Sequence, residues 1–480
     1  MKCTVIALII ITFSNISLFY PTPDVEKSNH IINAKNFAFD NGMTEQKLIE
    51  KISNGTNFVE VKDGLPQKEN LTRPLAMIDS DRNGYPELIL LTPGSDGKLF
   101  LFEWNNGSFI NKTIIDTPHT PSDILQNPLY VTDLQGDGIY DIIAGEYWLS
   151  GAENGTFVQN TTILANSEPP WIGRSLAPGD VDSDGDIDFI VSNGRGVLYG
   201  LWALLNLNGS TFKNELSWRR GLPPYRSPYY YGAFDMKLKD VNNDGWLDLV
   251  TTMGNNGWLE PDKHEARAYF VWVSDGTGMW YNSSTGFPAG SPTLLIVGYR
   301  VELADYDEDG DQDIFMTFLN GSYEYPAGIR VSSLVIYDND GRGRWSGKPT
   351  EYRGEDDITF ALGDVNDDGH VDYVVYMERD GENILEVTYG DGRGNWSRER
   401  VSRVRSPGTN VTSVLLEDVN LDGMLDIITN NGTAVGCWLN NMTPRHKLRF
   451  REGFELSLIH IDAADEGLGV DLGGRRIIKK

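Results

Sequence analysis

Short apolar runs recur along the chain, each opening on an acidic residue and rich in β-branched side chains. They read ELILL from Glu87, DIIAG from Asp141, DFIVS from Asp188, DLVTT from Asp248, DIFMT from Asp313, DYVVY from Asp372 and DIITN from Asp426. Runs of this length predict strands buried on both faces, as between stacked sheets. Further along each repeat stand glycine turns beside an aromatic: NNGSF, ENGTF, NGSTF, SDGTGMW, NDGRGRW and GDGRGNW. Asn-Gly and Asp-Gly between strands predict hairpins. No convincing amphipathic helix follows Glu50, so the pattern predicts an all-β protein.

Ahead of every apolar run lies a nine-residue acidic loop. The loops are DSDRNGYPE from Asp79, DLQGDGIYD from Asp133, DVDSDGDID from Asp180, DVNNDGWLD from Asp240, DYDEDGDQD from Asp305, DVNDDGHVD from Asp364 and DVNLDGMLD from Asp418. Their starts are 54, 47, 60, 65, 59 and 54 residues apart. That period fits one four-stranded propeller blade better than a helical repeat. The expectation is a seven-bladed β-propeller of four-stranded antiparallel blades over residues 57–455, with eight blades open if coding sequence is missing. FVEVKDGLP from Phe58 resembles ELSWRRGLP from Glu215, which ends the third repeat, so an N-terminal strand is expected to close the last blade. KLRF from Lys447 is the rival for that position.

Both ends stand outside this domain. An apolar run from Val5 to Phe13 behind Lys2 has the layout of a secretory signal peptide over residues 1–17, a signal anchor being the alternative. Residues 18–56 form a leader. The tail, 456–480, reads like translated adapter DNA rather than protein, against the alternative of a natural tail. Export is further suggested by thirteen Asn-x-Ser/Thr sequons beyond residue 20. The expected location is secreted, or cell-surface should a C-terminal anchor be missing from this sequence. No membrane insertion is expected from the rest of the chain, where no apolar run approaches a membrane span.

Charge then narrows the partners. With 69 acidic against 41 basic residues, the formal charge is −28, which argues against binding phosphate-rich nucleic acid. Once Cys3 leaves with the signal, Cys437 is alone, so an internal disulfide is not the staple. The acidic loops suggest another. Positions one, three, five and nine carry oxygen side chains, and position six is always glycine, permitting a sharp turn. Hard oxygen donors favour Ca²⁺, Mg²⁺ demanding a tighter octahedron and Zn²⁺ preferring Cys and His. Position seven would add a backbone carbonyl, which makes His370 a bystander as an imidazole. An EF-hand is excluded because its twelfth position, a glutamate there, falls on Leu90, Ala144, Val191, Thr251, Met316, Val375 and Thr429.

On these loops and turns, residues 57 to 443 resemble the FG-GAP/VCBS repeat family, which includes the propeller head of integrin alpha subunits and many secreted propeller lectins and adhesins. The resemblance implies calcium loops between the first and second strands of each blade and up to seven ions. The ligands it implies are Asp79, Asp81, Asn83 and Glu87; Asp133, Gln135, Asp137 and Asp141; Asp180, Asp182, Asp184 and Asp188; and Asp240, Asn242, Asp244 and Asp248. They continue as Asp305, Asp307, Asp309 and Asp313; Asp364, Asn366, Asp368 and Asp372; and Asp418, Asn420, Asp422 and Asp426. Gln135 and Glu87 depart from the usual residue, so loops one and two are expected to be the weak sites. Of the 69 acidic residues, 23 would be ligands.

Calcium loops and glycine turns would share one face of the ring. Longer segments on the opposite face bring Trp148, Trp171, Tyr225, Tyr230, Trp258, Glu260 and Tyr323 toward one rim. Aromatic anchors beside charges suit a glycan or an extracellular protein. The expected function is a secreted, calcium-stabilised binding or adhesion module, with blade packing the plainer reading of any single aromatic. The alternative is a calcium-dependent carbohydrate-active enzyme, a polysaccharide lyase or sugar dehydratase using the same face with His264 as base. No GxSxG, HExxH, phosphate loop or CxxC is present.

Overall fold

The computed structural model describes residues 57–444, apart from 73, 93–96, 117–128, 145–146, 163–174, 196–197, 208, 210–211, 215–219, 223–232, 253–269, 288–293, 323–330, 355–357, 380–381 and 406–412. The proposed signal peptide, leader and tail lie outside the described residues, as do KLRF and His264. Every element among the described residues is a strand, and the strands form seven four-stranded antiparallel sheets. Each sheet is a blade, and in six of the seven the strands pair in chain order. Among the described residues, no helix is long and apolar enough to cross a membrane.

First strands run Ala76–Ile78, Leu129–Thr132, Ser175–Gly179, Met236–Lys239, Leu294–Ala304, Thr359–Gly363 and Ser413–Glu417. Adjacent blades approach one another through these strands, which therefore lie innermost. The seven apolar runs are the second strands, and Glu87–Leu91, Asp141–Ala144, Asp248–Thr251 and Asp426–Asn430 are buried at every position. A strand in mid-blade has a neighbouring sheet on either side, which is why these runs do not alternate apolar with polar.

Seven buried clusters occupy the seven junctions between blades. One joins Leu88 and Leu90 of blade one to Ile428 and Cys437 of blade seven. Another joins Ile89 and Leu91 to Ile142 and Leu149 of blade two. The ring closes as the sequence suggested: Phe58–Val61 pairs antiparallel with Val435–Asn440 as the outer strand of blade seven, Phe58 facing Asn440 and Val61 facing Cys437. Cys437 is a free, buried thiol in this strand pair.

The GLP repeated after that strand also has a structural role. Gly64, Gly221 and Gly286 have φ of +86°, +93° and +106°, and a Cβ there would lie 1.7, 2.0 and 1.8 Å from the carbonyl oxygens of Phe109, Trp280 and Trp345. These are close backbone approaches that only glycine permits. The next residues, Leu65, Leu222 and Phe287, are buried in the blade junctions. Each G-Φ-P unit thus locks the outer strand of one blade onto the next.

Candidate metal centres

All seven acidic loops connect first to second strands, and their ninth residues, Glu87, Asp141, Asp188, Asp248, Asp313, Asp372 and Asp426, open the second strand. One backbone fold serves them all. In loop three, Asp180 accepts the Asp184 and Gly185 N–H groups, both at 3.0 Å, and Asp184 accepts the Asp186 N–H at 3.0 Å. Loop six repeats this with Asp364, Gly369 and Asp368 at 2.7–3.1 Å, and loop seven with Asp418, Gly423 and Asp422 at 2.8–3.0 Å. The sixth-position glycines have φ between +80° and +95°.

The fourth position was not legible in the sequence as a conformational feature. Arg82, Ser183, Asn243, Glu308, Asp367 and Leu421 have φ between +53° and +60°, and Gly136 +67°. A left-handed residue with a side chain costs about 1–2 kcal/mol. At three junctions that side chain reaches the next blade's loop: Arg82 donates to the Gly138 carbonyl, Asn243 bonds Asp311 at 2.8 Å, and Glu308 pairs with His370. His370 faces a neighbouring glutamate.

The ninth carboxylates are the most buried groups of the site, at 0–1% exposure. In loops two to seven one oxygen accepts the N–H of position two, and the other accepts an N–H from the end of the third strand. In loop three these bonds are Val181 at 2.9 Å and Asn206 at 2.7 Å; in loop five, Tyr306 at 3.4 Å and Asn339 at 2.8 Å; in loop seven, Val419 at 3.2 Å and Asn440 at 2.7 Å. Burial outweighs these donors and pushes Asp188, Asp248 and Asp372 up to about 7 and Asp313 to about 8. Asp426 rises well above the carboxylate range for the same reason. A buried carboxylate held by neutral N–H groups alone calls for a cation.

Third-position side chains separate the loops. The Oδ1 atoms of Asp182, Asp307 and Asn366, in loops three, five and six, are buried without a hydrogen-bond partner. Carboxylate oxygens of Asp180, Asp182 and Asp188, of Asp305, Asp307 and Asp313, and of Asp81, Glu87 and Glu103 lie within 4.8 Å of one another, so each group could hold a cation. In loops four and seven the amide of the third residue turns to the fifth: Asn242 donates to Asp244 at 2.9 Å and Asn420 to Asp422 at 3.1 Å. In loop two, Gln135 instead accepts the Ser150 hydroxyl at 2.8 Å, while Asp133 and Asp137 keep the common backbone bonds. Loop one differs in kind. Asp79 and Asn83 hold the usual turn, but the Lys112 ammonium sits against Asp81 at 2.7 Å, Glu87 at 2.8 Å and Glu103 at 2.8 Å.

Three buried asparagines that the sequence did not single out as site residues tie neighbouring loops together. Asn206, Asn339 and Asn440 donate their side-chain amides to the second-position carbonyls of the preceding blade, Leu134 at 3.1 Å, Val241 at 2.7 Å and Val365 at 2.8 Å. Their backbone N–H groups meanwhile serve the ninth carboxylate of their own blade. Each therefore couples a loop to its neighbour.

The expected ligand-face residues fare differently. Trp148 is 4% exposed and packs with Phe189 and Val191 between blades two and three, so its ring is blade packing and not a surface anchor. Trp171, Tyr225, Tyr230, Trp258, Glu260 and Tyr323 lie outside the described residues. On the side away from the loops, Phe234 and Tyr299 stack at 4.6 Å and 23°. They precede the first aspartates of loops four and five by equal intervals and are both half-buried.

The FG-GAP-like repeat profile matches residues 240–316 and 364–429. Integrin alpha-6 of Gallus gallus is 33% identical over 122 residues, which are 24% of this chain and 11% of the integrin's own length. Among solved structures, a polysaccharide lyase described as a PL25 ulvan lyase is 13% identical, covers 80% of this chain and 95% of its own, and has a TM-score of 0.47. The V. cholerae biofilm matrix protein Bap1 is 11% identical, covers 80% and 88%, and has a TM-score of 0.37. With a matching profile and seven loops at one place in seven blades, this chain carries FG-GAP-like repeats built into a β-propeller.

Proposed function

We propose that the protein is an exported, calcium-stabilised propeller that binds a glycan or an extracellular protein through the face opposite its acidic loops. The calcium reading is carried by the buried, unpartnered third-position oxygens of Asp182, Asp307 and Asn366. A buried oxygen without a donor is costly, and here each belongs to a loop of oxygen ligands whose ninth carboxylate is also buried. Six or more hard oxygens in a flexible loop suit Ca²⁺ at 2.3–2.6 Å. The first, third, fifth and ninth side chains would supply donors, with the seventh carbonyl beside them. Bound ions would neutralise carboxylates that otherwise repel, and would staple a ring built without a disulfide among its described residues.

Export is supported by the Val5–Phe13 run and by the exposure of the sequon asparagines Asn70, Asn106, Asn111, Asn154, Asn282 and Asn395. The stacked pair of Phe234 and Tyr299 offers an aromatic surface on the side proposed for the ligand, where rings can cover a sugar face or anchor a protein loop. Calorimetric titration of calcium into chelator-treated protein tests the metal reading, and the absence of saturable binding would sink it. Screening calcium-loaded protein against glycans and cell-surface proteins tests the ligand reading. Binding that survives both Phe234→Ala and Trp258→Ala would move the site elsewhere.

A further inference from the structure

Loop one has the oxygen pattern of its counterparts, yet a cation of the chain's own is already in it. Lys112 belongs to the outer strand of blade one, Ser108–Asp116. Pairing with the strand Lys98–Asn105 skips this residue: Leu101 faces Thr113 and Phe102 faces Asn111. Lys112 is therefore the extra residue of a β-bulge, a device that re-aims a side chain. Its ammonium donates to Asp81 at 2.7 Å, Glu87 at 2.8 Å and Glu103 at 2.8 Å. Three N–H donors thus meet three carboxylates, two of them at the third and ninth loop positions. Glu103 faces Glu87 across the strand pair; the corresponding strands of blades two, three, four and seven carry Ser150, Leu205, Val273 and Leu439 there, and blade five carries Asp338. Unlike its counterparts in loops three, five and six, Asp81 presents no buried unpartnered oxygen.

We propose that the Lys112 ammonium is the resident cation of loop one and excludes a metal ion from it, so that this blade is held by an internal ion cluster while the other loops depend on calcium. Blade five supplies the contrast. Its outer-strand lysine, Lys348, faces Ile336 in register and bonds Asp338 and the Tyr306 hydroxyl, both at 2.6 Å. Loop five accordingly keeps the Asp307 oxygen unpartnered. A metal ion in loop one would need the oxygens that Lys112 holds, and two cations cannot share them. The longer Glu87, which in the sequence marked a weak calcium site, has the reach that an ammonium set further out requires.

This inference rests on the calcium reading of loops two to seven, and its test separates the two. Bound calcium per chain is counted by elemental analysis after equilibrium dialysis against calcium. Asp81→Ala is expected to leave the count unchanged, Asp182→Ala to lower it by one, Lys112→Met to raise it by one, and Lys112→Arg to leave it at the wild-type value. A count lowered by Asp81→Ala, or unchanged by Lys112→Met, overturns the proposal; if Lys112→Met does not fold, the Asp81→Ala count decides. Should the wild-type protein bind no calcium, the calcium reading fails alone, and melts in chelator decide this one. There Lys112→Met is expected to lower the midpoint by several degrees and an added Glu87→Gln to restore part of the loss. Equal midpoints for wild type and Lys112→Met overturn it.

Discussion

Removing calcium is the perturbation with the largest expected effect on this ring. Six loops remain as candidate sites once loop one is assigned to Lys112. Extracellular calcium modules bind with Kd of about 10⁻⁴–10⁻³ M, so at ~2 mM free calcium each site adds roughly 0.7–1.8 kcal/mol by mass action. Six independent sites give about 4–11 kcal/mol. Strands from Phe58 to Asn440 span about 380 residues, for which an unfolding entropy near 2.1 cal/mol/K per residue gives ~0.8 kcal/mol per degree. The melting midpoint should therefore fall by about 5–14 °C on transfer from millimolar calcium to excess chelator. Intrinsic tryptophan fluorescence during a thermal ramp is a suitable assay, because Trp272, Trp280 and Trp345 are buried between blades. Magnesium at the same concentration should recover only a small part of the shift, since these loops do not impose its tight octahedron. Asp182→Ala should lose about one-sixth of the calcium-dependent gain. Identical midpoints in calcium and in chelator would refute the reasoning, because bound ions cannot leave the native state's free energy unchanged.

Three further outcomes follow from the same geometry. In calcium-free protein, burial holds Asp188, Asp248 and Asp372 at about 7 and Asp313 at about 8, above the ~3.9 of an unfolded aspartate. The native chain then binds more protons than the unfolded one, so stability is fully present below about pH 4 for these groups and is lost as pH rises through about 7–8. Melts at constant ionic strength should show that decline without calcium and a flatter or reversed slope with it, since the metal selects the deprotonated form; a calcium-free midpoint rising across this window contradicts the assignment. Gly286→Ala puts a methyl 1.8 Å from the Trp345 carbonyl at φ +106° and should cost at least ~3 kcal/mol in denaturant unfolding. Gly310→Ala, which meets only open space at φ +94°, should cost about 1–2 kcal/mol in chelator; equal losses would show that the close approach is not what matters. Asn339→Ala removes the bonds to Val241 at 2.7 Å and Gln312 at 3.0 Å and should destabilise by about 1–3 kcal/mol, read from the same unfolding curves.

What could be read from the sequence was whatever is local in the chain. Each metal loop completes its turn within nine residues, so its spacing alone reported the oxygens, the glycine and the strand that follows. Ring closure was legible because the first strand carries the same G-Φ-P ending as the third repeat, and that ending proves to be a backbone contact between blades. Trp148 was misassigned because GEYWLSG reads as a long loop, whereas only Gly145 and Glu146 separate the strands Asp141–Ala144 and Tyr147–Gly151. The blade is short there and the tryptophan falls inside it.

Groups that act across blades or across strands left no such trace. Asn339 stands in a glycine turn and reads as turn chemistry, and nothing in the pattern marks Asn206 or Asn440, yet the amides of all three bond the blade before. Glu308 and Asn243 read as loop filler, but their left-handed backbone turns them toward His370 and Asp311 of the next loop. Lys112 is far along the chain from Asp81, in a strand whose bulge no pattern announced. These three sets share one physical consequence. The ninth carboxylate of a loop, the asparagine that serves it and the carbonyl that the asparagine reaches form a continuous path from one loop to the next. Loading one loop should therefore stiffen its neighbour, and the ions on this rim should bind with positive coupling wherever such an asparagine stands. Among the described residues these asparagines join loops two and three, four and five, and six and seven, so the coupling is expected within those pairs.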